Sequence, residues 1–161
     1  MHDLKFCGGR VYDPLTNTFQ VRDVAVDGAV MAQDPSGDAR LTVDASGCIV
    51  TPGLIDYHIH LFSAIPSGSI RADLACLPYG VTTAVDGGTS GAPTYPIFHE
   101  LEVSRAQVRL LAYLNIGSSG LTSTVSMEDP TPEHIERDLI REMFRRYPGE
   151  LVALKLRNSL G

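Results

Sequence analysis

Residues 49–61 read Ile-Val-Thr-Pro-Gly-Leu-Ile-Asp-Tyr-His-Ile-His-Leu, and this stretch decides how the rest of the chain is interpreted. Its apolar and β-branched content predicts one buried strand. Side chains two residues apart on a strand share a face, so we expect His58 and His60 to project together, with Asp56 orienting one of them. Two imidazoles at the end of a strand indicate half of a transition-metal site, and a pair of hydrogen-bonded core histidines is the alternative.

The composition allows a globular core and excludes several classes of partner. Of the 161 residues, 43% are hydrophobic, which is enough for a core. The formal net charge is −6 and no basic run is interleaved with aromatic residues, which argues against nucleic-acid binding. The sequence shows neither a membrane-length apolar stretch nor the layout of a signal peptide. Three widely spaced cysteines predict neither a disulfide framework nor a zinc knuckle, so we expect a cytoplasmic protein.

Two regions with different patterns follow one another along the chain. Residues 1–48 contain short alternating stretches separated by turn signals, which predicts a small β module. From residue 49 onward, apolar strands alternate with helical stretches. The predicted strands are 49–61, 81–85, 108–114 and 151–156, and the predicted helices are about 70–77, 96–104 and 132–146. This alternation predicts a parallel sheet covered by helices, and His99 is expected to be a surface residue on the second helix.

Polar residues follow every one of these predicted strands. His58 and His60 end the first, Asp86 the second, Asn115 the third, and Lys155 with Arg157 the fourth. In parallel α/β proteins the carboxyl ends of the strands form the active face, so we expect these side chains at one edge of the sheet. Asp86 and Asn115 are candidates for substrate contacts, and the alternatives are a plain turn and a loop cap.

Lys155 is the most informative of the remaining residues. We expect it near the middle of a buried strand, where an ammonium group is costly and the neutral amine is favoured. A neutral amine can combine with carbon dioxide to form a carbamate, a carboxylate on a long arm that suits a bridge between two metal ions. The alternative is an ammonium group that reaches solvent or pairs with an acid such as Asp86.

The chain resembles the amidohydrolase superfamily at Pro-Gly-Leu-Ile-Asp-Tyr-His-Ile-His, residues 52–60. Residues 79–91 and 152–157 are similar to its deacetylase-like branch, which is related to the dihydroorotases. The resemblance implies a (β/α)8 barrel, with residues 49–161 as its first four βα units, after an incomplete β-sandwich module at residues 1–48. A complete barrel takes about 250 residues, so we expect the N-terminal half of such an enzyme.

The resemblance also implies a metal site and an activity. His58 and His60 would bind the more buried of two zinc ions, and Lys155, carboxylated by carbon dioxide, would bridge that ion to the second. The implied activity is the hydrolysis of amide or ester bonds in a small acylated substrate, by an enzyme that is a homo-oligomer at full length. The catalytic aspartate is expected beyond Gly161, so this chain alone is expected to be inactive.

Three other functions stay open. Dihydroorotases of the superfamily carry an arginine two residues after the second histidine, where this chain has Phe62. That difference favours a deacetylase over a dihydroorotase or a hydantoinase-like cyclic amidohydrolase. A non-catalytic fragment or interaction module is a second alternative, and it would bind little zinc. A mononuclear deaminase is the third, and the position of Lys155 argues against it.

Overall fold

The computed structural model describes residues 1–65, 69–122 and 131–156, apart from the side chain of His134. The chain divides into two compact units, Met1–Pro52 and Gly53–Gly161. Arg157, which the sequence predicts at the end of the fourth strand, lies outside the described residues. Within the described ranges, no helix is long and apolar enough to cross a membrane.

The first unit is a mixed β-sheet built around its first strand. The strands are β1 (His2–Asp13), β2 (Thr18–Asp27), β3 (Val30–Met31), β4 (Ala39–Asp44) and β5 (Ile49–Val50). β2 pairs with β1 in antiparallel fashion, whereas β4 and β5 run parallel to β1 along successive parts of its length. Gly8, at φ +70°, lies where the pairing register of β1 with β2 shifts, as a bulge at a glycine allows. The described residues of this small β module form one sheet rather than the two layers of a sandwich.

The second unit is a parallel sheet whose strands are separated by helices. Its elements are β6 (Leu54–Ile59), α1 (Ala72–Cys76), β7 (Val81–Asp86), α2 (Tyr95–Phe98), β8 (Arg109–Asn115), α3 (Arg137–Arg146) and β9 (Leu151–Lys155). The strands are neighbours in chain order, β6-β7-β8-β9, and every pair is parallel. The predicted α/β class with a parallel sheet is therefore confirmed.

The helices differ in detail from the predicted ones. α1 continues into a 3-10 turn at Leu77–Tyr79, and α2 continues in wider π-type turns over His99–Val103. The helix predicted over 132–146 is interrupted, because a 3-10 turn at Pro132–His134 ends at Ile135, whose backbone is extended. Ile135 packs against the apolar core, and this tertiary contact overrides the local helical preference.

The strand predicted over 49–61 is in fact two strands that belong to different units. Ile49–Val50 pairs with β1, and Leu54–Ile59 pairs with β7. Pro52, between them, has no N–H to donate to a sheet ladder. A side chain on Gly53 would come within 2.0 Å of a threonine hydroxyl on β7. The prediction of one strand is wrong because this Pro-Gly pair ends the first strand.

Two apolar clusters form the core of the second unit. The first includes Phe62, Tyr95, Phe98, Leu114, Met143, Tyr147 and Leu151, and the second includes Leu61, Ala72, Cys76, Ala84, Val108 and Leu110. The edge strands of the sheet are less covered than the sequence predicts, since Ile55 on β6 is 67% exposed and Leu154 on β9 is 52% exposed. The expectation of buried strands at 49–61 and 151–156 is therefore wrong in this chain.

Candidate metal centre

Three predicted ligands converge on the end of β7 and the loop after it, residues 86–91, which we call the β7 loop. A β-carbon built on Gly87 would lie 2.4 Å from Cδ2 of His58 and 3.1 Å from Cε1 of His60. One built on Gly88 would lie 2.5 Å from Cβ of Lys155. Side chains from the carboxyl ends of β6 and β9 thus lie against two consecutive glycines. The structure brings the three residues together at one edge of the sheet.

The two imidazoles meet edge to face at the surface. The ring centroids of His58 and His60 are 5.6 Å apart and the ring planes make an angle of 74°. Both residues are exposed. The alternative of a buried core pair therefore does not fit this structure, whereas two adjacent imidazoles can bind a metal ion.

Asp86 fixes the shape of the β7 loop. Its side chain is fully buried, and Oδ1 accepts hydrogen bonds from the N–H groups of Gly88 and Thr89 at 3.0 and 2.7 Å. Oδ2 accepts from the N–H of Leu61 at 2.9 Å and from the hydroxyl of Thr89 at 2.8 Å. Four donors satisfy this buried carboxylate, which holds the β7 loop and joins it to the end of β6.

Thr89 links the carboxylate to the histidine pair. Its side chain is fully buried, and Oγ1 lies 2.7 Å from Nδ1 of His60. Thr89 is not among the site residues that the sequence predicts. A signal for it exists, because an aspartate whose side chain accepts N–H groups two and three residues later is a common turn arrangement. The partner strand of that turn, however, cannot be read from the local sequence.

Asn115 supports the β7 loop from the neighbouring strand. It is 1% exposed, its Nδ2 donates to the carbonyl of Gly88 at 3.1 Å, and its Oδ1 accepts from the N–H of Gly117 at 2.9 Å. Asp86 and Asn115 therefore lie inside the protein, behind the candidate ligands. Loop support takes the place of the substrate contacts predicted for both residues.

Lys155 is the last residue of β9 and is half-buried. It lies opposite Asn115 in the β8–β9 register, and its carbonyl accepts from the N–H of Ile116 at 3.0 Å. The strand around it is largely exposed, so Lys155 does not lie near the middle of a buried strand as the sequence predicts. The four donors that surround Asp86 are amide and hydroxyl groups, so the alternative Lys155–Asp86 ion pair is not seen.

The residues present fit a zinc ion by their chemistry. Neutral imidazoles are common zinc ligands, and a lysine carbamate would add a carboxylate oxygen. In the described part of the chain, no three His, Cys, Asp or Glu side chains are grouped to hold a metal, so the two histidines alone form half a site. Any side chain at position 87 or 88 would fill the space that the three candidate ligands occupy.

Comparison with known proteins finds similar sequences and similar structures. No family model matches the chain. A deacetylase of Agrobacterium fabrum is 32% identical over 128 residues, which are 79% of this chain and 31% of that protein. Adenine deaminase 2 of Rhizobium etli is 40% identical over 87 residues, 52% of this chain and 14% of that protein. The crystal structure of an adenine deaminase matches 98% of this chain and 42% of its own, with 26% identity and a TM-score of 0.80.

The chain belongs to the amidohydrolase superfamily. It spans 31% to 35% of the length of the first two curated deacetylases that it matches. The likeness to the adenine deaminase structure runs through both units.

Phe62 distinguishes this amidohydrolase chain from the dihydroorotase pattern. The side chain is 3% exposed, and its ring packs edge to face on that of Phe98 with centroids 5.3 Å apart. A core phenylalanine offers no positive group to a substrate carboxylate. Position 62 of this chain therefore has a packing role in the core and supplies no counterpart to the arginine of the dihydroorotase pattern.

Asp56 lies on β6 of this amidohydrolase chain, two residues before His58. Its Oδ1 accepts a hydrogen bond from the backbone N–H of His58 at 3.0 Å. This contact fixes the main chain at His58 and does not involve the imidazole. The orienting role predicted for Asp56 thus acts, in the contacts seen, through the backbone.

Proposed function

We propose that this chain is part of a zinc-dependent hydrolase of amide or ester bonds, of the deacetylase type. The observation that carries the proposal is the convergence of His58, His60 and Lys155 on Gly87 and Gly88. Membership of the amidohydrolase superfamily and the similarity to a deacetylase over 79% of the chain support the reaction class. The substrate we propose is a small acylated molecule.

We also propose that residues 53–161 form the first four βα units of a (β/α)8 barrel. The parallel order β6-β7-β8-β9 supports this arrangement. So does the exposure of apolar residues on both edge strands, such as Leu54 and Leu154, which are 51% and 52% exposed. Further strands of a closed barrel would cover these residues and pair both edges.

The proposed roles of the three ligands follow from their chemistry. His58 and His60 would hold one zinc ion through ring nitrogens, and Lys155 would contribute carbamate oxygens to that ion and to a second one. The carbamate forms when the neutral Nζ attacks carbon dioxide, which makes a C–N bond and releases one proton from the nitrogen. Zinc, when bound, supplies Lewis acidity and lowers the pKa of a bound water.

The remaining groups of the chain would hold this arrangement in place. Asp86 and Asn115 fix the β7 loop, and the loop in turn carries the glycines against which the ligands lie. The family resemblance implies an aspartate that would move the proton to the leaving group, and we assign that role to no residue of this chain. We further propose a homo-oligomeric enzyme in the cytoplasm, where the three free cysteines would stay reduced.

Zinc content and the state of Lys155 test the proposal. The chain has only two lysines, Lys5 and Lys155, so their alanine variants separate a Lys155 carbamate signal, in protein supplied with 13C-bicarbonate, from signals of Lys5 and of the α-amino group of Met1. We expect bound zinc and one carbamate carbon by NMR in the wild type. Lys155→Ala should lose the carbamate and at least one zinc ion per chain, measured by mass spectrometry of metals.

Lys5→Ala is the matched control. Lys5 lies in the first unit and pairs with Asp23 at 3.2 Å, so its removal should leave zinc content and carbamate unchanged. Equal zinc content in wild type and Lys155→Ala, together with no carbamate in either, would contradict the proposed site. Absence of zinc from the wild type at stoichiometric supply would favour the non-catalytic module instead.

Deamination of adenine is the second candidate, because an adenine deaminase is 40% identical over half of the chain. The two reactions release different products. A deacetylase releases acetate from N-acetyl substrates, whereas a deaminase releases ammonia from adenine. Assays of both products with the zinc-loaded complete enzyme, of which this chain is proposed to be a part, distinguish them, and ammonia release from adenine without acetate release would replace the first candidate by the second.

A further inference from the structure

The hydrogen-bond directions around Thr89 can be assigned from the donors that surround Asp86. The Asp86 carboxylate accepts the N–H groups of Leu61, Gly88 and Thr89. The Thr89 hydroxyl lies 2.8 Å from Oδ2 of that carboxylate, and an ionised carboxylate can only accept. The single hydrogen of the Thr89 hydroxyl therefore points at Asp86.

This direction leaves only one possibility for the contact with His60. The Thr89 oxygen has already used its hydrogen, so it accepts, and Nδ1 of His60 at 2.7 Å must be the donor. A neutral imidazole carries one hydrogen, so its lone pair is then on Nε2.

We propose that Thr89 is the positioning residue of the candidate metal centre, fixing His60 in the tautomer with its hydrogen on Nδ1, so that Nε2 carries the lone pair that would bind a metal ion. The tautomer of His60 follows from the contacts with Thr89 and Asp86, and only the binding of a metal rests on the proposed function. Metal-bound histidines commonly donate their second ring N–H to a neighbouring acceptor. Here a hydroxyl relays that contact to a buried carboxylate.

The relay from His60 through Thr89 to Asp86 lies among buried groups of the second unit. Asp86 and Thr89 are both fully buried, so water does not compete for their hydrogen bonds. The N–H of Gly87 donates to the carbonyl of Ile59 at 2.7 Å, which sets the β7 loop at a fixed distance from the end of β6. The position of the Thr89 hydroxyl beside His60 follows from these two constraints.

Three variants separate the relay from general effects on the loop. Thr89→Val keeps the shape of the side chain but removes the hydroxyl, and Thr89→Ser keeps the hydroxyl. Thr94→Val is the matched control, because Thr94 Oγ1 bonds only to the backbone of Gly91 in the contacts seen. It therefore removes a hydroxyl close to the same loop without touching His60.

The deciding measurement is the tautomer of His60 in the metal-free chain, read from long-range 15N–1H NMR spectra at about pH 8, above the ordinary pKa of imidazole. The signal is assigned with a His60→Gln variant. Wild type, Thr89→Ser and Thr94→Val should show the hydrogen on Nδ1, and Thr89→Val should shift the population toward hydrogen on Nε2. With zinc, Thr89→Val should bind about 10- to 100-fold more weakly, which Thr89→Ser should largely restore.

The outcomes separate this inference from the proposed function. A wild-type His60 with its hydrogen on Nε2 overturns the inference, and this result needs no variant to fold. An unchanged tautomer in folded Thr89→Val overturns it as well. If the tautomer shifts as expected while the wild type binds no zinc, the positioning by Thr89 stands and the proposed metal function fails.

Discussion

The two ends of the parallel sheet use similar groups for different purposes. At the carboxyl end, Asp86 reaches His60 through the hydroxyl of Thr89. At the amino end, Oε2 of Glu150 accepts from Nδ1 of His99 at 2.9 Å and from the hydroxyl of Tyr95 at 3.3 Å. Each end therefore joins a histidine to a carboxylate.

The surroundings of the two histidines differ. The ring of His99 packs against that of Tyr147 with centroids 4.7 Å apart, and its side chain is 28% exposed, so His99 is only partly exposed at the surface position that the sequence predicts. The ring of His60 instead faces the main chain at Gly87. An aromatic neighbour makes a histidine–carboxylate pair part of the packing, whereas a glycine neighbour leaves room for a ligand.

Removal of each carboxylate should show the largest difference between the two ends. Asp86→Ala leaves three buried N–H groups without their acceptor, and we expect it to lower the free energy of unfolding by about 3–5 kcal/mol. Glu150→Ala should cost about 1–2 kcal/mol, because the Glu150 side chain is 30% exposed and water can replace it. Urea unfolding of both variants measures the two costs.

The same two variants should also differ in their affinity for zinc. Asp86→Ala should also weaken zinc binding, whereas Glu150→Ala should leave it unchanged. Equal losses of stability in the two variants would show that the buried network at Asp86 is no stronger than the half-exposed one, and the proposed contrast between the ends would be wrong.

Two glycines with similar backbones sharpen the comparison. Gly88 at φ +87° lies in the β7 loop, and Gly149 at φ +79° lies just before β9. Gly149→Ala meets no atom within 4 Å, so only the left-handed backbone opposes it, at about 1–2 kcal/mol. Gly88→Ala also meets the Lys155 stem at 2.5 Å, and the overlap raises the expected cost to about 2–4 kcal/mol.

Both costs can be read from urea midpoints at equal protein concentration. Gly88→Ala should in addition displace Lys155 and reduce carbamate formation, which Gly149→Ala should not affect. If the two alanine variants unfold at the same urea concentration, the close contact between Gly88 and Lys155 is not a constraint on the fold.

The smallest expected effect is on the pH dependence of stability, and it arises at the amino end of the parallel sheet. Burial, followed by the charge of Glu150, raises the pKa of Tyr95 above its ordinary value. The unfolded tyrosine loses its proton near pH 10 while the folded one keeps it. The contribution of Tyr95 to the free energy of unfolding is therefore fully present below about pH 10, and it is lost as the pH rises further.

Tyr95→Phe tests that contribution. The variant should be less stable at neutral pH by about 1 kcal/mol, since one hydrogen bond is removed. Its free energy of unfolding should decline less steeply than that of the wild type between about pH 10 and 11.5. Parallel declines in the two proteins would show that Tyr95 does not titrate differently in the folded state.

The sequence was sufficient to predict the parallel sheet and the edge at which its polar residues meet. Alternation on β6 placed His58 and His60 together, and the βα rhythm placed Lys155 at the same edge as the histidines. These features depend on periodicity within single segments, which local sequence contains.

The contacts between segments could not be predicted in the same way. Thr89 is informative only once the N–H of Gly87 is known to meet the carbonyl of Ile59, because that contact sets which residues face each other. The burial of β6 and β9 was overestimated for a related reason. Apolar residues such as Ile55 predict a covered strand, but coverage depends on neighbouring strands that the local pattern does not specify.

The contact between Gly88 and Lys155 also has an entropic consequence. A lysine side chain loses up to about 2 kcal/mol of rotamer freedom when it is fixed. Because Cβ and Cγ of Lys155 already lie against the glycine, much of that ordering takes place when the chain folds. Binding of carbon dioxide or a metal ion would then cost less side-chain entropy at Cβ and Cγ of Lys155. The remaining entropic cost would come mainly from the terminal atoms of the side chain.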